Sequence, residues 1–283
     1  MPDRIVVLGA GTMGHGIAQV AALAGFEVAL YDIRDEFVDK GLGKIRENLA
    51  RGVEKGKVAA ADRDAALARL AGTSDLARGC AGVALAIEAV PEKIELKREV
   101  FGMLDQHCPP GAILATNTSS LSVSEIARAT RRPAQVCGMH FFNPVHIMKL
   151  LELVRAEQTS DATVAAVRTI GARLGKDCIL VKDSPGFASS RLGICVGLEA
   201  MRMLEQGVAS AEDIDKAMKL GYGFPMGPLE LTDQVGLDVR LDIAAYLHRE
   251  LGTEAFRPPE VLKRLVAEGK LGKKTKEGFY RYP

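Results

Sequence analysis

The stretch RIVVLGAGTMGHGIAQVAALAGFEVALYD, Arg4–Asp32, decides the fold of the first half of the chain. It carries G-x-G-x-x-G as Gly9, Gly11 and Gly14, set between the apolar run Ile5 to Leu8 and a helical pattern. In a dinucleotide-binding unit the first glycine makes a tight turn, the second lets backbone approach a pyrophosphate, and the third lets helix pack on strand. The phosphates then meet a helix N-terminus, whose unpaired N–H groups favour anions. Asp32 lies 18 residues beyond Gly14, at the end of the second predicted strand. A carboxylate there accepts hydrogen bonds from both ribose hydroxyls and repels a 2′-phosphate, so NAD is expected over NADP. Arg34 is the discordant neighbour, since a nearby arginine can hold a 2′-phosphate; it is read as surface charge. A reading as turn glycines with a capping Asp32 leaves the placing of strand, helix and acid unexplained.

Outward from this unit, the first 180 or so residues alternate short β-branched runs with Ala-rich and charged segments, the rhythm of a parallel sheet with crossover helices. Strands are expected at Arg4–Leu8, Glu27–Tyr31, Val83–Glu88, Ala112–Thr116, Gln135–His140, Lys149–Val154 and Cys178–Val181. Between Ile33 and Leu70 the pattern is a long charged helix, a turn, and a second helix running through ADRDAALARL, more than a plain crossover. After Asp183-Ser-Pro-Gly-Phe187 the strand signal stops, and helices follow at Phe187–Glu205, Ala211–Leu220 and Leu237–Leu251, with Ser210 as a capping residue. The fold class is therefore α/β: a Rossmann-type doubly wound domain over 1–183 and an all-α domain over 184–283.

With Lys+Arg 37 against Asp+Glu 36, the formal charge of +1 provides no drive towards nucleic acid or an anionic membrane. The longest apolar stretches, near Ile17–Phe26 and Gly82–Val90, fall well short of a membrane span of roughly 20 residues. The charged start MPDRIVV has no secretory pattern, and a cytoplasmic protein is expected. Cys80, Cys108, Cys137, Cys178 and Cys195 are scattered without a C-x-x-C pair, which predicts reduced thiols and no metal site.

In GMHFFNPVHIMKLLELV, His140 falls at the C-terminal end of a predicted strand, the edge where ligands of open parallel sheets collect. Glu152 follows 12 residues later on the next strand. If Phe141–Met148 turns the chain back, the carboxylate reaches the imidazole, fixes its tautomer and favours its protonated form. An imidazole so oriented is a base suited to taking the proton of a secondary alcohol as hydride leaves carbon. TNTSSLSV supplies an oxygen-rich turn at another strand end, where Ser119 either hydrogen-bonds the reacting oxygen or, with Ser120, caps a helix beginning near Leu121.

These residues, with IEAVPEKIELKREVF, DSPGF, EDIDKAMKLGYGFPMGPLELTDQVGLD and GKKTKEGFYRY in the same order along Ile5–Tyr282, resemble the L-3-hydroxyacyl-CoA dehydrogenases, and among them the bacterial 3-hydroxybutyryl-CoA branch. The resemblance implies a two-domain homodimer with an NAD-binding domain and a helical domain for dimerisation and substrate. It assigns His140 as base, Glu152 as its orienting partner, and Ser119 to the substrate oxygen and nicotinamide. Asn143, Lys274, Glu92 and Lys97 align with NAD contacts, and Lys55 with a residue for the 3′-phosphate of coenzyme A. Bland alternatives stand beside these: Glu92 and Lys97 as an exposed helix pair, Lys274 as one solvated charge, and Arg51, Lys55 and Lys57 as an ordinary charged face. Ser190 stands where the family has Asn, and a shorter hydroxyl there puts the usual substrate contact in question. His146 replaces a family Pro and receives no catalytic role. Competing functions are a dehydrogenase of a free hydroxy acid resembling gulonate dehydrogenase and λ-crystallin, and a non-catalytic dinucleotide-binding structural protein.

Overall fold

A computed structural model describes residues 4–283 and divides into two compact units, one ending at Asp183 and one beginning at Ser184. The first holds an eight-stranded sheet in the order β3-β2-β1-β4-β5-β6-β7-β8. Its strands are β1 (Arg4–Leu8), β2 (Glu27–Tyr31), β3 (Leu70–Thr73), β4 (Leu85–Glu88), β5 (Ile113–Thr116), β6 (Val136–Phe141), β7 (Leu150–Arg155) and β8 (Asp177–Lys182). Helices α1 (Thr12–Leu23), α2 (Asp35–Glu54), α3 (Ala60–Ala68), α4 (Leu76–Cys80), α5 (Ile94–His107), α6 (Val123–Ala127) and α7 (Asp161–Arg173) connect them. The central strands read as unbroken apolar runs, Ile5–Leu8, Leu85–Ile87 and Ile113–Ala115, all buried, as strands covered by helices on both faces require.

Two expectations are corrected. The sheet is mixed: β1 to β6 run parallel, but β7 pairs antiparallel with β6, and β8 follows β7. The chain returns through residues 142–149 without a helix, so no parallel crossover forms. Leu70, expected at the end of a helix, instead opens β3, a short edge strand paired with β2 from Val28↔Leu70 to Tyr31↔Thr73. Gly72 in that strand lies so close to Val38 and Leu42 of α2 that a side chain would collide with them. A glycine at this point weakens the strand signal while permitting the packing.

The second unit comprises α8 (Ser189–Glu205), α9 (Ala211–Tyr222), α10 (Pro228–Val235), α11 (Leu237–Leu251) and α12 (Glu260–Ala267) around a core that includes Ile194, Leu198, Met201, Leu229, Leu247 and Leu262. Helix α8 starts two residues later than its apolar spacing suggests, because Gly186 (φ 75°) and Phe187 (φ 48°) both hold left-handed backbone. Ser210 caps α9 as expected, accepting from the Asp213 N–H at 3.1 Å. Buried Asp215 accepts from the free N–H groups of Leu229 and Glu230 at the start of α10 and from the Tyr280 hydroxyl, each at 2.8 Å. Asp233 likewise holds the Phe279 and Tyr280 N–H groups and the Tyr282 hydroxyl at 2.9 Å, which fastens the GFYRY tail. Burial pushes the Asp233 carboxyl above its ordinary range despite those donors. Among the described residues no helix is long and apolar enough to cross a membrane.

Candidate active site

The three fingerprint glycines meet three different constraints. Gly9 holds φ 93° and would set a Cβ 2.7 Å from the Ala89 carbonyl oxygen; a Cβ on Gly14 would overlap the Gly9 carbonyl, so α1 packs on the β1 turn only without one. Gly11 has no atom within 4 Å of its Cβ position, which leaves its backbone open to a ligand. Asp32 Oδ2 accepts from the Ala10 N–H and Oδ1 from the Ile33 N–H, both at 2.8 Å. That fixes the carboxylate on the wall of a cavity of about 400 Å³, lined also by Gly11, Thr12, His15, Phe37 and Lys40. Arg34 stacks over the Phe37 ring at 4.0 Å and is exposed. An open helix N-terminus, a backbone freed of side chains and a carboxylate beside them suit an adenosine ribose and a pyrophosphate.

Three strands along the sheet from β1, at β6 and β7, the mixed topology produces the second cluster. Because β6 and β7 are antiparallel, His140 and Glu152 stand directly opposite each other in register. Such pairs hold their Cβ atoms within about 5.5 Å, close enough for the side chains to touch. Nδ1 of His140 lies 2.7 Å from Glu152 Oε2, with the two side chains 8% and 0% exposed. The Phe142 ring packs against the imidazole at a centroid distance of 4.5 Å. Asn117, at the end of β5, accepts the Phe141 N–H at 2.9 Å and ties the two strand ends together.

The same edge carries a polar network that runs from Glu92, 37% exposed at the surface, to the buried Lys97 and Glu88 beneath it. Glu92 Oε1 accepts from the Thr118 hydroxyl at 2.5 Å, the Ser119 N–H at 2.9 Å and the Ser119 hydroxyl at 3.2 Å. Its Oε2 lies 3.2 Å from Lys97 Nζ, and Lys97 in turn sits 2.7 Å from Glu88 Oε1. Glu88 also accepts from the Thr116 hydroxyl and the Val90 N–H, each at 2.7 Å. Lys97 is 1% exposed, so the reading of the pair as solvated fails at Lys97, while Glu92 keeps 37% of its side chain exposed. Ser119 does not cap a helix either: α6 begins at Val123, and Ser122 caps it by accepting the Glu125 N–H at 3.2 Å.

Residues 4–184 match the 3-hydroxyacyl-CoA dehydrogenase NAD-binding domain, and residues 186–282 match the C-terminal domain of the same family. The chain belongs to the 3-hydroxyacyl-CoA dehydrogenase family. A probable 3-hydroxybutyryl-CoA dehydrogenase of Bacillus subtilis is 44% identical over 279 residues, covering 99% of this chain and 97% of the relative. The crystal structure of Mycobacterium tuberculosis FadB2 superposes with a TM-score of 0.96 at 42% identity, over 99% of both chains. That of (S)-3-hydroxybutyryl-CoA dehydrogenase PaaH1 from Ralstonia eutropha gives a TM-score of 0.96 at 41% identity, over 100% of both. As a member of this family the chain is an NAD-dependent oxidoreductase acting on CH–OH groups, and the Asp32 cavity belongs to its NAD-binding domain.

The remaining family positions are spread over both units. Asn143 is exposed in the 142–149 return; Lys176, 8% exposed, pins that return through the Val145 carbonyl and, at 2.7 Å, the Met148 carbonyl. Burial, with Lys176 and His15 nearby, lowers the pKa of His146 below the ordinary imidazole value. Lys55 is the exposed residue that ends α2. In the second unit Lys274 is ion-paired with Asp238 at 2.5 Å rather than simply solvated, and Ser190 is half-buried in the first turn of α8. Glu88 and Asn117 escaped the sequence reading, though Lys97 carried a signal. It shares the buried face of α5 with Val100, Phe101 and Leu104, a basic residue at core spacing that calls for a buried acid.

Proposed function

We propose that the chain catalyses the reversible oxidation of an L-3-hydroxyacyl-CoA, of the 3-hydroxybutyryl-CoA type, to the 3-ketoacyl-CoA. The observation that carries this reading is the enclosed His140–Glu152 pair on facing strands, at the same sheet edge as the Gly9–Gly14 turn. Bound NAD supplies the hydride acceptor. His140 takes the hydroxyl proton on Nε2, because Nδ1 is engaged by Glu152. The Glu152 carboxylate holds the ring in that tautomer and stabilises the imidazolium that results, and a base so placed contributes about 10²- to 10⁴-fold. With its hydrogen directed at Glu92, the Ser119 oxygen accepts the hydrogen bond of the substrate alcohol; turned away, the same hydroxyl donates to the ketone. Glu92 and Lys97 therefore act by holding Ser119, and Asn143 and Lys274 contact the dinucleotide. Lys55 takes the 3′-phosphate of coenzyme A, and Ser190 contacts the substrate.

Two copies pair through the second unit, a reading supported by large apolar side chains left exposed there, Leu192 at 68%, Leu220 at 76% and Tyr222 at 78%. The enzyme works in the cytoplasm, in keeping with five unpaired cysteines. NADH oxidation with acetoacetyl-CoA tests the activity. Rapid turnover is expected, with NADPH a poor substitute; silence on acetoacetyl-CoA with turnover of a free hydroxy acid would contradict it.

A further inference from the structure

Glu88 ends β4 fully buried, in register between Leu8 of β1 and Thr116 of β5. A carboxylate taken out of water is costly unless donors fill its lone pairs. Oε1 accepts from Lys97 Nζ and from the Val90 N–H, and Oε2 from the Thr116 hydroxyl, each at 2.7 Å. Two routes lead from this carboxylate to Glu92. Along the first, the Lys97 ammonium faces Glu88 Oε1 at 2.7 Å, Glu92 Oε2 at 3.2 Å and the Val90 carbonyl at 3.3 Å. An ammonium has three N–H donors, so Lys97, enclosed at 1% exposure, spends all of them within the chain. Along the second, the Thr116 hydroxyl donates to Glu88, its oxygen accepts the Thr118 N–H at 3.2 Å, and the Thr118 hydroxyl donates to Glu92 Oε1 at 2.5 Å. Glu88, Lys97, Glu92, Thr118 and Thr116 thus close a ring.

The ring has a fixed sense. A carboxylate only accepts, so Glu88 draws the Thr116 hydrogen towards itself and Glu92 does the same to Thr118. Each hydroxyl oxygen is left to receive a backbone N–H, Thr116 from Thr118 at 3.2 Å and Thr118 from Leu121 at 3.0 Å. Glu92 is therefore clamped at both oxygens, Oε2 by Lys97 and Oε1 by Thr118. The Ser119 N–H at 2.9 Å and hydroxyl at 3.2 Å complete Oε1. The serine hydroxyl makes the longest of the Oε1 contacts, so it is the one that exchanges for a ligand oxygen while the others hold. We propose that Glu88 is a positioning residue for the dehydrogenation: through Lys97 on one side and Thr116 and Thr118 on the other it fixes Glu92, and Glu92 sets the Ser119 hydroxyl. This inference rests on the activity proposed above and adds to its machinery a residue that acts from beneath the site. Lys97 serves the same end, passing on the hold of Glu88 rather than meeting the dinucleotide, for which it has no donor left.

The test measures kcat for acetoacetyl-CoA reduction and, by calorimetric titration, NADH affinity in the full-length enzyme. Glu88→Gln keeps the shape of the side chain and removes its charge; kcat is expected to fall by about 5- to 30-fold, with NADH affinity within about threefold of wild type. Thr116→Val cuts the second route alone, should lose about 3- to 10-fold in kcat, and carries the test if Glu88→Gln does not fold. Neither loss should add to that of Ser119→Ala: in that background each substitution should change kcat by less than about twofold, because the hydroxyl it positions is gone. A kcat within about twofold of wild type in the folded variants would overturn the proposal. So would the same loss with and without Ser119, the mark of a merely structural role, or a loss confined to NADH affinity. Absence of turnover by the wild type on every acyl-CoA, acetoacetyl-CoA included, would instead refute the activity itself and this proposal with it.

Discussion

Glu152→Gln separates the charge of the pair from its geometry. The substitution keeps an acceptor opposite His140 and leaves the β6–β7 ladder in place, since the two residues face each other across that pairing. It removes the negative charge that stabilises the imidazolium formed as the alcohol loses its proton. The contact is 2.7 Å long between side chains 8% and 0% exposed, so solvent screens it little. A hydrogen bond to a charged group contributes about 1.5–3 kcal/mol, and each 1.36 kcal/mol is tenfold in rate. Turnover should therefore fall by about 10- to 150-fold. NAD affinity should hold, because Asp32 and the Gly9–Gly14 turn lie at β1 and β2, well along the sheet from β7. Steady-state NADH oxidation with acetoacetyl-CoA, paired with calorimetric titration of NAD, reads both quantities. Turnover within twofold of wild type would refute the argument, as would an equal loss in NAD binding.

Three further outcomes are expected. Asp32→Ala should weaken NAD by about tenfold and relax the rejection of NADP, seen as a changed ratio of kcat/KM for the two reduced cofactors; an unchanged ratio would count against the ribose assignment. Lys97→Met leaves Glu88 enclosed without its cation and should cost about 3–5 kcal/mol of unfolding free energy in denaturant, part of which returns in the double variant with Glu88→Gln. Burial opposes ionisation of Asp105, but the hydrogen bonds from Arg131 and Arg132 outweigh it and lower the pKa. The stability it provides is thus complete above the unfolded-chain value of about 3.9 and fades as pH falls through the lower folded value. The stability gap between wild type and Asp105→Asn should accordingly be level near neutrality and close in acid, and a gap independent of pH would exclude this role.

How much of this was legible depended on whether a residue's task left a mark on its own segment. Gly9 and Gly14 did, because no other side chain fits a turn at φ 93° or the approach of α1 to the Gly9 carbonyl. The His140–Glu152 contact was legible only as a condition on the chain turning back, since LLELV reads alike in either strand direction, and the antiparallel register that seats the pair comes from pairing across the sheet. Strand β3 left too faint a trace in four residues that include Gly72. Lys97 shows the opposite error: one reading left it in an exposed charge pair, while its place among apolar neighbours at helical spacing already put it inside. The partner of Lys97, Glu88, closes a strand of its own, and only the folded sheet brings the two within 2.7 Å.

Single-turnover oxidation of NADH by acetoacetyl-CoA in His140→Gln, with NAD binding measured on the same preparation, tests the central assignment most directly. The expected result is a hydride-transfer rate lower by at least about two orders of magnitude with NAD binding intact. A rate close to wild type would mean that another group exchanges the proton, and the His140–Glu152 mechanism would fall.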